Sequence, residues 1–342
     1  MKVVHLLPAL EQGGVETVVC DLVREFGSGV VVSKGGRLVE NVEAAGGRHN
    51  SLDLKSKNPR TYFMRPWKLR RILRAESPDL VCVHSRVPAW LFIWANRGLG
   101  LKWISYAHGA NSVSRYSAVM TKGDLVVTPS RFLADYLKAN YEIPEMKIRV
   151  IPNSVDTERF NPDSLDQAFI AEKRREWGIR EGDRVLMAIG RITPVKGLDN
   201  LIREFVAVKS ENAKLVIVGG ADKHHQKYLE SLKKLASTVL HLSPSPIVFA
   251  GQQAKIPECI AIADEIVSAN TTKPETFGLS VIEAYAMNKP VRAKRFGGVA
   301  EVMSAVEASG MATLREAVIA LYGQDLQAER TLAVYRELIN MV

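Results

Sequence analysis

Short apolar runs rich in valine, isoleucine and leucine alternate along this chain with segments of helical periodicity. The runs fall into two series separated by residues 152–184. The first series comprises 3–7, 30–32, 80–84, 103–106, 125–127 and 148–151, and the second 185–190, 214–219, 247–249, 265–267 and 290–292. Short runs that are apolar on both faces are typical of parallel strands covered by helices. The sequence therefore predicts an α/β fold.

The length of the chain favours two domains. At 342 residues it exceeds the size at which a single core usually stops growing. The segment between the two series is rich in turn formers and charge, so we place a boundary near residue 160. This predicts a first domain over residues 1–160 and a second over 161–326. The last segment, about 327–342, has the pattern of a helix that could belong to either half.

Composition excludes several classes of protein. A chain with 46% hydrophobic and 24% charged residues is neither disordered nor collagen-like. Cys20, Cys82 and Cys259 are scattered, which favours neither a disulfide framework nor a metal site and suits a reducing cytoplasm. The N-terminus lacks the long apolar region of a signal peptide, and the most apolar stretch, 87–95, is too short to span a bilayer.

The net charge of +9 is concentrated in the first 160 residues, which hold 23 Lys+Arg against 15 Asp+Glu. Residues 54–75 carry eight basic side chains and no acidic one, interleaved with Tyr62, Phe63 and Trp67. One interpretation is an ordinary amphipathic helix that begins at Pro66. A second adds binding to anionic lipid headgroups. The candidate residues for that surface are Arg70, Arg71, Arg74 and Trp67.

A glycine pair, Gly13 and Gly14, lies between the first candidate strand and a helical segment over 17–26. Glycines let backbone N–H groups approach an anion closely, and a helix N-terminus adds about half a positive charge. The pair is a candidate site for a phosphate or a sugar, and equally a tight turn with no ligand. It is not a dinucleotide fingerprint, because no GxGxxG follows a candidate strand.

Two cations, Arg191 and Lys196, follow the first strand of the second series in a turn rich in glycine and proline. Open α/β sheets bind ligands at the carboxyl ends of their strands. Arginine offers a planar fork and lysine a point charge, which together match a diphosphate. Either cation alone would be explained as a solvated surface residue, but the pair favours a binding role.

Two glutamates, Glu275 and Glu283, lie eight positions apart near the end of the second series. Residues 273–278 have the pattern of a loop, because Pro274 disfavours helix at the residue before it. Residues 280–287 have the pattern of a helix. An exposed helix with two ordinary glutamates would leave the proline and the following glycine unexplained.

Backbone N–H groups in this loop and in the first helical turn can hold phosphate oxygens, and carboxylates accept hydrogen bonds from hydroxyl groups. The segment therefore predicts a ligand that carries both a diphosphate and sugar rings. Its candidate binding residues are Glu275, Thr276, Phe277, Gly278, Leu279 and Glu283.

Two histidines lie at the ends of candidate strands in the first half of the chain. His108 stands beside Gly109, just past the run 103–106, and His84 ends the run 80–84. An isolated histidine is more often structural than catalytic. Position alone makes His108 a candidate for the site and His84 a weaker one.

Taken in order, these features resemble the glycosyltransferases of GT-B architecture and, more narrowly, glycosyltransferase family 4. The resemblance extends over nearly the whole chain, and its last piece is similar to the E-x7-E signature of that family. The resembling pieces are Gly13-Gly14-Val15-Glu16, Pro78-Asp79-Leu80-Val81 to His84-Ser85, His108-Gly109, Pro152-Asn153-Ser154-Val155-Asp156, Gly190-Arg191 with Lys196-Gly197, Val248-Phe249-Ala250-Gly251, and Pro274-Glu275-Thr276-Phe277-Gly278 to Glu283-Ala284.

The resemblance implies two Rossmann-like domains that face each other across a cleft, with the final helix crossing back. It implies the acceptor on the N-terminal side and a nucleotide-sugar donor on the C-terminal side. By that likeness, Arg191 and Lys196 bind the donor diphosphate. Glu275 binds hydroxyls of the transferred sugar, Glu283 binds the ribose, and His108 lies near the donor sugar.

The activity implied by the resemblance is that of a retaining hexosyltransferase without a metal or other cofactor, and the chain contains no Asp-x-Asp motif. The implied partners are a nucleoside-diphosphate sugar and a glycan or lipid-linked acceptor of bacterial surface polysaccharide or lipopolysaccharide synthesis. We expect no nucleic acid. We expect a cytoplasmic protein that is peripheral on the inner face of the cytoplasmic membrane and binds its anionic surface.

Two other classes stay open at the level of sequence. One is a GT-B relative that acts on a nucleotide-sugar without transfer, such as an epimerase. The other is a basic nucleic-acid-binding protein, suggested by the pI of about 9.4, although the basic stretch matches no recognition motif.

Two positions also depart from the family pattern, because Ser154 and Asn288 stand where glycines are usual.

Overall fold

The computed structural model describes residues 1–11, 13–56, 58, 61, 63–208, 212–240, 245–268 and 273–341. The chain divides into two compact units. Unit 1 comprises Met1–Ser154 and Gln324–Val342, and unit 2 comprises Val155–Gly323. The sequence-based boundaries near residues 160 and 326 fall a few positions later along the chain.

Unit 1 is built on a seven-stranded sheet in which every neighbouring pair is parallel. Its strands are β1 (Val3–Leu6), β2 (Val30–Ser33), β3 (Arg48–Ser51), β4 (Leu80–Val83), β5 (Trp103–Tyr106), β6 (Leu125–Thr128) and β7 (Ile148–Val150). The strand order is β3-β2-β1-β4-β5-β6-β7, so the chain reverses its direction of winding between β1 and β4. Open α/β sheets bind ligands at such a switch point.

The helices of unit 1 cover both faces of this sheet, and alternate strand residues point to opposite faces. Val4 and Leu6 contribute to one apolar cluster, whereas Val3 and Leu80 contribute to another. The helices are α1 (Gly14–Phe26), α2 (Val39–Ala44), α3 (Met64–Glu76), α4 (Arg86–Ala95), α5 (Arg131–Tyr141) and α13 (Gln324–Asn340), with short 3-10 helices at Ser117–Thr121 and Glu145–Lys147.

Unit 2 contains a five-stranded parallel sheet of order β10-β9-β8-β11-β12. Its strands are β8 (Arg184–Ile189), β9 (Ala213–Val218), β10 (Ile247–Gly251), β11 (Glu265–Ser268) and β12 (Val291–Ala293). Its helices are α6 (Gln167–Glu176), α7 (Leu198–Val208), α8 (Gln226–Leu240), α9 (Ile256–Ile262), α10 (Leu279–Ala286), α11 (Gly298–Ala308) and α12 (Leu314–Tyr322), with a 3-10 helix at Pro194–Lys196. The switch point of this sheet lies between β8 and β11.

The α/β class predicted from the sequence is confirmed, and each of the eleven predicted strands overlaps an observed one. The prediction missed β3, whose sequence Arg-His-Asn-Ser contains no apolar residue. It forms the edge of the sheet and is half-buried or exposed along its length. An edge strand needs no apolar pattern, because its backbone pairs on one side with β2 while its side chains contact water.

The final helix, α13, belongs to unit 1 and packs there through Tyr335, which is fully buried. The hydroxyl of Tyr335 is hydrogen-bonded to that of Tyr106 at 3.1 Å. Lys102 Nζ donates to the carbonyl oxygens of Leu338 and Ile339 at 3.1 Å each. These contacts give the last turn of the helix partners for its exposed carbonyl groups and a cation at its negative end.

The two positions that depart from the family's usual glycines have local explanations. Asn288 adopts a left-handed backbone with φ 54°, a conformation that asparagine tolerates better than most residues. Ser154 is buried, and its hydroxyl donates to Gln327 Oε1 at 2.7 Å within unit 1. Both substitutions are therefore compatible with the turns in which they lie.

Candidate active site

The switch point of the unit 2 sheet forms a small cleft at the carboxyl ends of β8 and β11. Gly190, Arg191, Lys196 and Ser268 line it. The residues that follow Ser268, 269–272, lie outside the described part of the chain. The cleft brings together the two cations that the sequence predicts as a diphosphate site, at the place where open parallel sheets bind ligands.

The turn after β8 holds these cations by its backbone. Ile192 is buried, and its N–H donates to the carbonyl of Gly220 beyond β9 at 2.9 Å. The 3-10 helix Pro194–Lys196 ends at Gly197, which has φ 61°. Arg191 remains exposed, whereas Lys196 is partly covered and forms an ion pair with Glu275. Lys196, which the sequence predicts to bind phosphate, thus contacts Glu275, which it predicts to accept hydrogen bonds from sugar hydroxyls.

The loop that carries Glu275 is braced by a glycine pair that the sequence analysis did not assign to the site. Glu275 and Gly297 form an isolated parallel bridge, and the N–H of Gly298 donates to the carbonyl of Glu275 at 2.8 Å. A Cβ at residue 298 would lie 2.3 Å from the carbonyl oxygen of Thr276. The close approach requires glycine, because a backbone carbonyl cannot move aside as a flexible side chain can.

We expect Gly298→Ala to displace this loop and to weaken binding of the diphosphate ligand that the sequence predicts by about tenfold, which corresponds to about 1.4 kcal/mol. Isothermal titration with UDP, GDP and ADP measures the effect. Gly220→Ala is the matched control, because its Cβ would lie 3.6 Å from the nearest atom of Gln252, an ordinary contact. Equal affinities of the Gly298→Ala variant and the wild type would show that the brace does not position the loop.

Two of the other predicted residues of this segment, Gly278 and Leu279, lie at the start of α10, whereas Phe277 lies in the core of unit 2. Gly278 precedes α10 with φ 111°, and Leu279 begins the helix, one residue earlier than the sequence predicts. Phe277 is buried and packs edge-on against Tyr322 with ring centroids 5.6 Å apart. The aromatic ring of Phe277 therefore anchors the loop in the core, and its contribution to ligand binding is restricted to its backbone.

Glu283 lies in the middle of α10 and is largely withdrawn from water. Burial raises the pKa of Glu283 to about 7, although the nearby charges of Arg159 and Lys196 act to lower it. Its carboxylate is therefore held at a desolvation cost that the charges of two cations partly offset. Arg159 was not identified from the sequence, because it lies outside any glycine turn and far from Glu283 along the chain.

The two histidines predicted for the site lie in unit 1 and contact each other. His84 Nδ1 is 3.0 Å from His108 Nε2, and the planes of the two rings are 17° apart. His108 lines a cavity with Asn153, Gln327 and other residues of unit 1. The sequence analysis did not identify a third member of this group, His5 on β1, whose Nδ1 is 3.0 Å from His84 Nε2.

The glycine pair lies at the start of α1, which begins three residues before the predicted start at Thr17. Gly13 precedes the helix with an extended backbone, and Gly14 is its first residue. The carbonyl of Gly13 accepts hydrogen bonds from the N–H and the hydroxyl of Thr17 at 3.0 Å each. A Cβ at Gly13 would lie 2.4 Å from Glu16 Oε2, so the side chain of Glu16 folds back over this turn.

The basic segment forms α3, which begins at Met64, two residues before the predicted start. Leu69 and Leu73 are buried, as the amphipathic interpretation requires. Of the candidate residues for an anionic surface, Arg71, Arg74 and Trp67 are exposed, and Trp67 keeps 72% of its surface. Arg70 instead donates to the carbonyl of Ala95 at 2.8 Å, so its guanidinium serves the α3–α4 contact. Tyr62 lies outside the described residues.

Within the described ranges, no cluster of histidine, cysteine, aspartate and glutamate has the arrangement of a metal site. Cys20, Cys82 and Cys259 are all buried and free. Across the same ranges, every helix is too short or too polar to traverse a lipid bilayer.

Two family models match the chain, one in each half. Residues 12–159 match "Glycosyltransferase Family 4", and residues 169–314 match "Glycosyl transferases group 1". Together the matches extend over most of both units. The chain belongs to the glycosyltransferases of GT-B architecture, of the family 4 type.

Curated relatives and solved structures are similar to the chain to different extents. It is 31% identical to the alpha-monoglucosyldiacylglycerol synthase of Streptococcus pneumoniae over 49% of this chain and 36% of the relative. It is 26% identical to the lipopolysaccharide 1,2-N-acetylglucosaminetransferase of Salmonella typhimurium over 71% of this chain and 62% of the relative. The chain thus aligns with less than two thirds of the length of either relative.

The fold is similar to that of HepE from Anabaena in its complex with UDP and glucose. That structure has a TM-score of 0.81 and 18% sequence identity, and the match covers 99% of this chain and 100% of the other. At this level of identity the likeness concerns the fold. It supports two Rossmann-like domains in a GT-B architecture.

Proposed function

We propose that this protein transfers a sugar from a nucleoside-diphosphate sugar to a glycan or lipid-linked acceptor, with retention of configuration and without a metal ion. The observation that carries the proposal is the cleft at the switch point of unit 2, which Arg191 and Lys196 line and where Lys196 forms an ion pair with Glu275. Cations suit the diphosphate and carboxylates suit sugar hydroxyls. The lipopolysaccharide and glycolipid enzymes among the relatives support an acceptor of bacterial surface polysaccharide or lipopolysaccharide synthesis.

The ion pair between Lys196 and Glu275 lets the site bind the phosphate first and the sugar second. A diphosphate offers Lys196 more negative charge than one carboxylate does, so donor binding moves the ammonium group from Glu275 to the phosphate. The carboxylate of Glu275 is then released to accept hydrogen bonds from hydroxyls of the sugar. Binding of the phosphate thereby prepares the site for the sugar.

In the transfer itself, the bond between the anomeric carbon and the β-phosphate oxygen breaks, and a bond from that carbon to the acceptor oxygen forms on the same face. The acceptor proton passes to the departing phosphate. Arg191, Lys196 and the backbone N–H groups at the start of α10 stabilise the negative charge on the leaving group. These groups are the reason to propose that transfer needs no divalent ion.

A panel of UDP, GDP and ADP, each with and without EDTA, tests the donor site by thermal stabilisation of the protein. We expect one of the three to raise Tm in EDTA, and the matching nucleotide-sugars then to be consumed. Product analysis with and without acceptor separates transfer from epimerisation, which would convert the sugar with no acceptor present. No stabilisation by any nucleotide, together with salt-dependent binding to DNA, would instead support a nucleic-acid-binding protein.

We also propose that the exposed face of α3 docks on anionic lipid from the cytoplasmic side. Phe63, Met64 and Trp67 expose 67%, 59% and 72% of their surfaces at the N-terminal end of this helix. Arg71 and Arg74 follow at spacings that keep them on the face of Trp67. An aromatic side chain at the interface with cations above it is the usual composition of a peripheral membrane helix.

Arg71→Glu combined with Arg74→Glu should reduce binding to vesicles that contain phosphatidylglycerol by about tenfold or more, since each cation near the surface contributes about 1 kcal/mol. Cosedimentation with anionic and with purely zwitterionic vesicles measures the effect. The control is Lys233→Glu with Lys234→Glu on α8, which reverses two exposed charges in unit 2. The docking proposal fails if both double variants lose the same binding, or if neither does.

A further inference from the structure

Three histidines form a continuous hydrogen-bonded row across the switch point of the unit 1 sheet. His5 lies on β1, His84 directly follows β4, and His108 follows β5. These strands are neighbours in the order β1-β4-β5. The His5 Nδ1 to His84 Nε2 distance and the His84 Nδ1 to His108 Nε2 distance are both 3.0 Å.

The row is linear, with His84 in the middle and both of its ring nitrogens engaged. A neutral imidazole has one N–H donor and one bare nitrogen acceptor. His84 must therefore donate to one neighbour and accept from the other. If it donates from Nδ1, all three rings carry their proton on Nδ1, and if it donates from Nε2, all three carry it on Nε2.

The surroundings keep all three rings neutral, as this rule requires. Burial lowers the pKa of His5 and of His108 to about 4. Burial also lowers the pKa of His84 well below its ordinary value, and the neighbouring His108 and His5 lower it further. An additional proton on any of the three rings would place positive charge in the core of unit 1.

Edge-to-edge hydrogen bonding and one ring stack fix the geometry of the row. The ring centroids of His5 and His84 are 5.3 Å apart, as are those of His84 and His108, and the ring planes of the two pairs are 27° and 17° from parallel. Tyr106 stacks on His84 at 4.7 Å, and its hydroxyl is hydrogen-bonded to that of Tyr335 on α13. The ring of His84 is therefore held by two hydrogen bonds at its edges and by the ring of Tyr106, which the final helix of unit 1 holds in turn.

The last member of the row, His108, reaches a cavity. His5 and His84 are 1% and 4% exposed, whereas His108 is partly exposed and lines the cavity beside Asn153 and Gln327. A purely apolar core would fill the positions of His5 and His84 more cheaply, because a buried imidazole must find partners for two nitrogens. The presence of His5 and His84 in the core is thus explained by the hydrogen bonds through which they orient His108.

We propose that His5 and His84 are positioning residues for His108: they hold its ring in place and force it to adopt the same tautomer as their own. This inference rests on the proposed function only in taking a sugar hydroxyl as the group that His108 meets. His108 Nε2 is engaged by His84, so the row determines whether His108 Nδ1 donates or accepts a hydrogen bond. A sugar hydroxyl can do either, and the row selects one of the two arrangements in advance.

Nitrogen NMR of the full chain labelled with ¹⁵N-histidine tests the coupling without any activity. Each signal is assigned by its loss in a single His→Gln variant. We expect His5, His84 and His108 to be neutral and to share one tautomer at pH 7. Opposite tautomers on any two of these rings, or a protonated ring among them, would overturn the proposal. This readout remains valid even if the protein transfers no sugar.

The variant His84→Phe keeps an aromatic ring against Tyr106 and removes both hydrogen bonds. We expect the two ¹⁵N shifts of His108 to converge as its proton becomes shared between the nitrogens, and kcat to fall by about tenfold with a smaller change in KM. His84→Gln retains one donor and one acceptor and should keep most of kcat. A role in packing alone predicts the reverse order, with phenylalanine tolerated better than glutamine.

His49→Gln is the matched control, because His49 is a partly buried histidine of unit 1 whose Nε2 is hydrogen-bonded to Ser33 Oγ outside the row. We expect it to leave the His108 shifts and kcat unchanged. If the three rings share a tautomer but His84→Phe turns over like the wild type, the row is only structural. If no variant and no wild type shows turnover, the NMR result still decides the coupling, and the failure belongs to the proposed function.

Discussion

Lys196→Ala is expected to lower kcat by about a hundredfold or more, the largest effect of any single substitution that we propose. In the proposed transfer, the departing nucleoside diphosphate gains negative charge in the transition state, and Lys196 is one of two cations among the described residues that line the cleft. Its ion pair with Glu275 is partly exposed, so the loss of that pair costs about 1 kcal/mol of stability at most. The variant should therefore fold normally and turn over poorly.

Steady-state kinetics with the matching nucleotide-sugar, beside a urea unfolding curve, separates these two effects. The control is Lys255→Ala, which removes a lysine paired with Asp166 at 2.6 Å on the surface of the same unit. That variant should retain wild-type kcat. Near-native turnover in Lys196→Ala would remove Lys196 from the site, and an equal loss in both variants would point to instability.

Glu283→Gln is expected to stabilise the protein at alkaline pH while it weakens donor binding. Burial raises the pKa of Glu283 to about 7, so the folded state holds its proton more tightly than the unfolded chain does. The contribution of Glu283 to the free energy of unfolding is therefore most favourable below the pKa of this carboxyl in the unfolded chain, near 4.5. It becomes less favourable as the pH rises toward 7. The difference in unfolding free energy between variant and wild type should grow by about 2 kcal/mol from pH 5 to pH 8.

Urea unfolding at pH 5 and pH 8 measures this difference. Glu307→Gln is the matched control, because the hydrogen bond from Arg295 lowers the pKa of Glu307, which reverses the sign of the pH dependence. That substitution should give no gain at pH 8. A Glu283→Gln variant whose advantage is the same at both pH values would show that Glu283 is already ionised at pH 5.

The same substitution should raise the Kd for the nucleoside diphosphate by about tenfold, since a charged acceptor contributes about 1.5 to 3 kcal/mol to its hydrogen bonds. Gain of stability with loss of binding is the behaviour of a residue retained for function rather than for folding. Unchanged nucleotide affinity would assign Glu283 to the structure of unit 2 alone. Isothermal titration at pH 8 makes the distinction, because the carboxylate is ionised there.

The strand pattern could be predicted well from the sequence, because parallel strands buried on both faces need continuous apolar runs. The prediction missed β3, because a strand at the edge of the sheet does not need such a run. Helix starts were also displaced, by three residues at Gly14, by two at Met64 and by one at Leu279. Local signals such as Pro66 and Gly278 favour a boundary, but packing of the neighbouring turns decides it.

Residues of the site could be predicted where they lie within one short segment, but not where the site is formed by distant segments. Arg191, Lys196 and Glu275 lie in turns that contain glycine and proline, which indicate a loop at the end of a strand. Arg159, whose charge acts to lower the pKa of Glu283, and His5, which completes the histidine row, have no such residues beside them that indicate a site. An isolated charged or titratable residue gives no signal in a single sequence unless its spatial neighbours are known.

By itself the sequence determined the alternation of strands and helices, the two series of strands, and the kinds of side chain that stand at strand ends. Tertiary structure alone decided which of those ends meet. Strand order placed β8 beside β11, and β1 beside β4 and β5. Contacts such as the Lys196–Glu275 pair and the row from His5 to His108 depend on that order, because residues far apart along a chain become neighbours only through the pairing of strands.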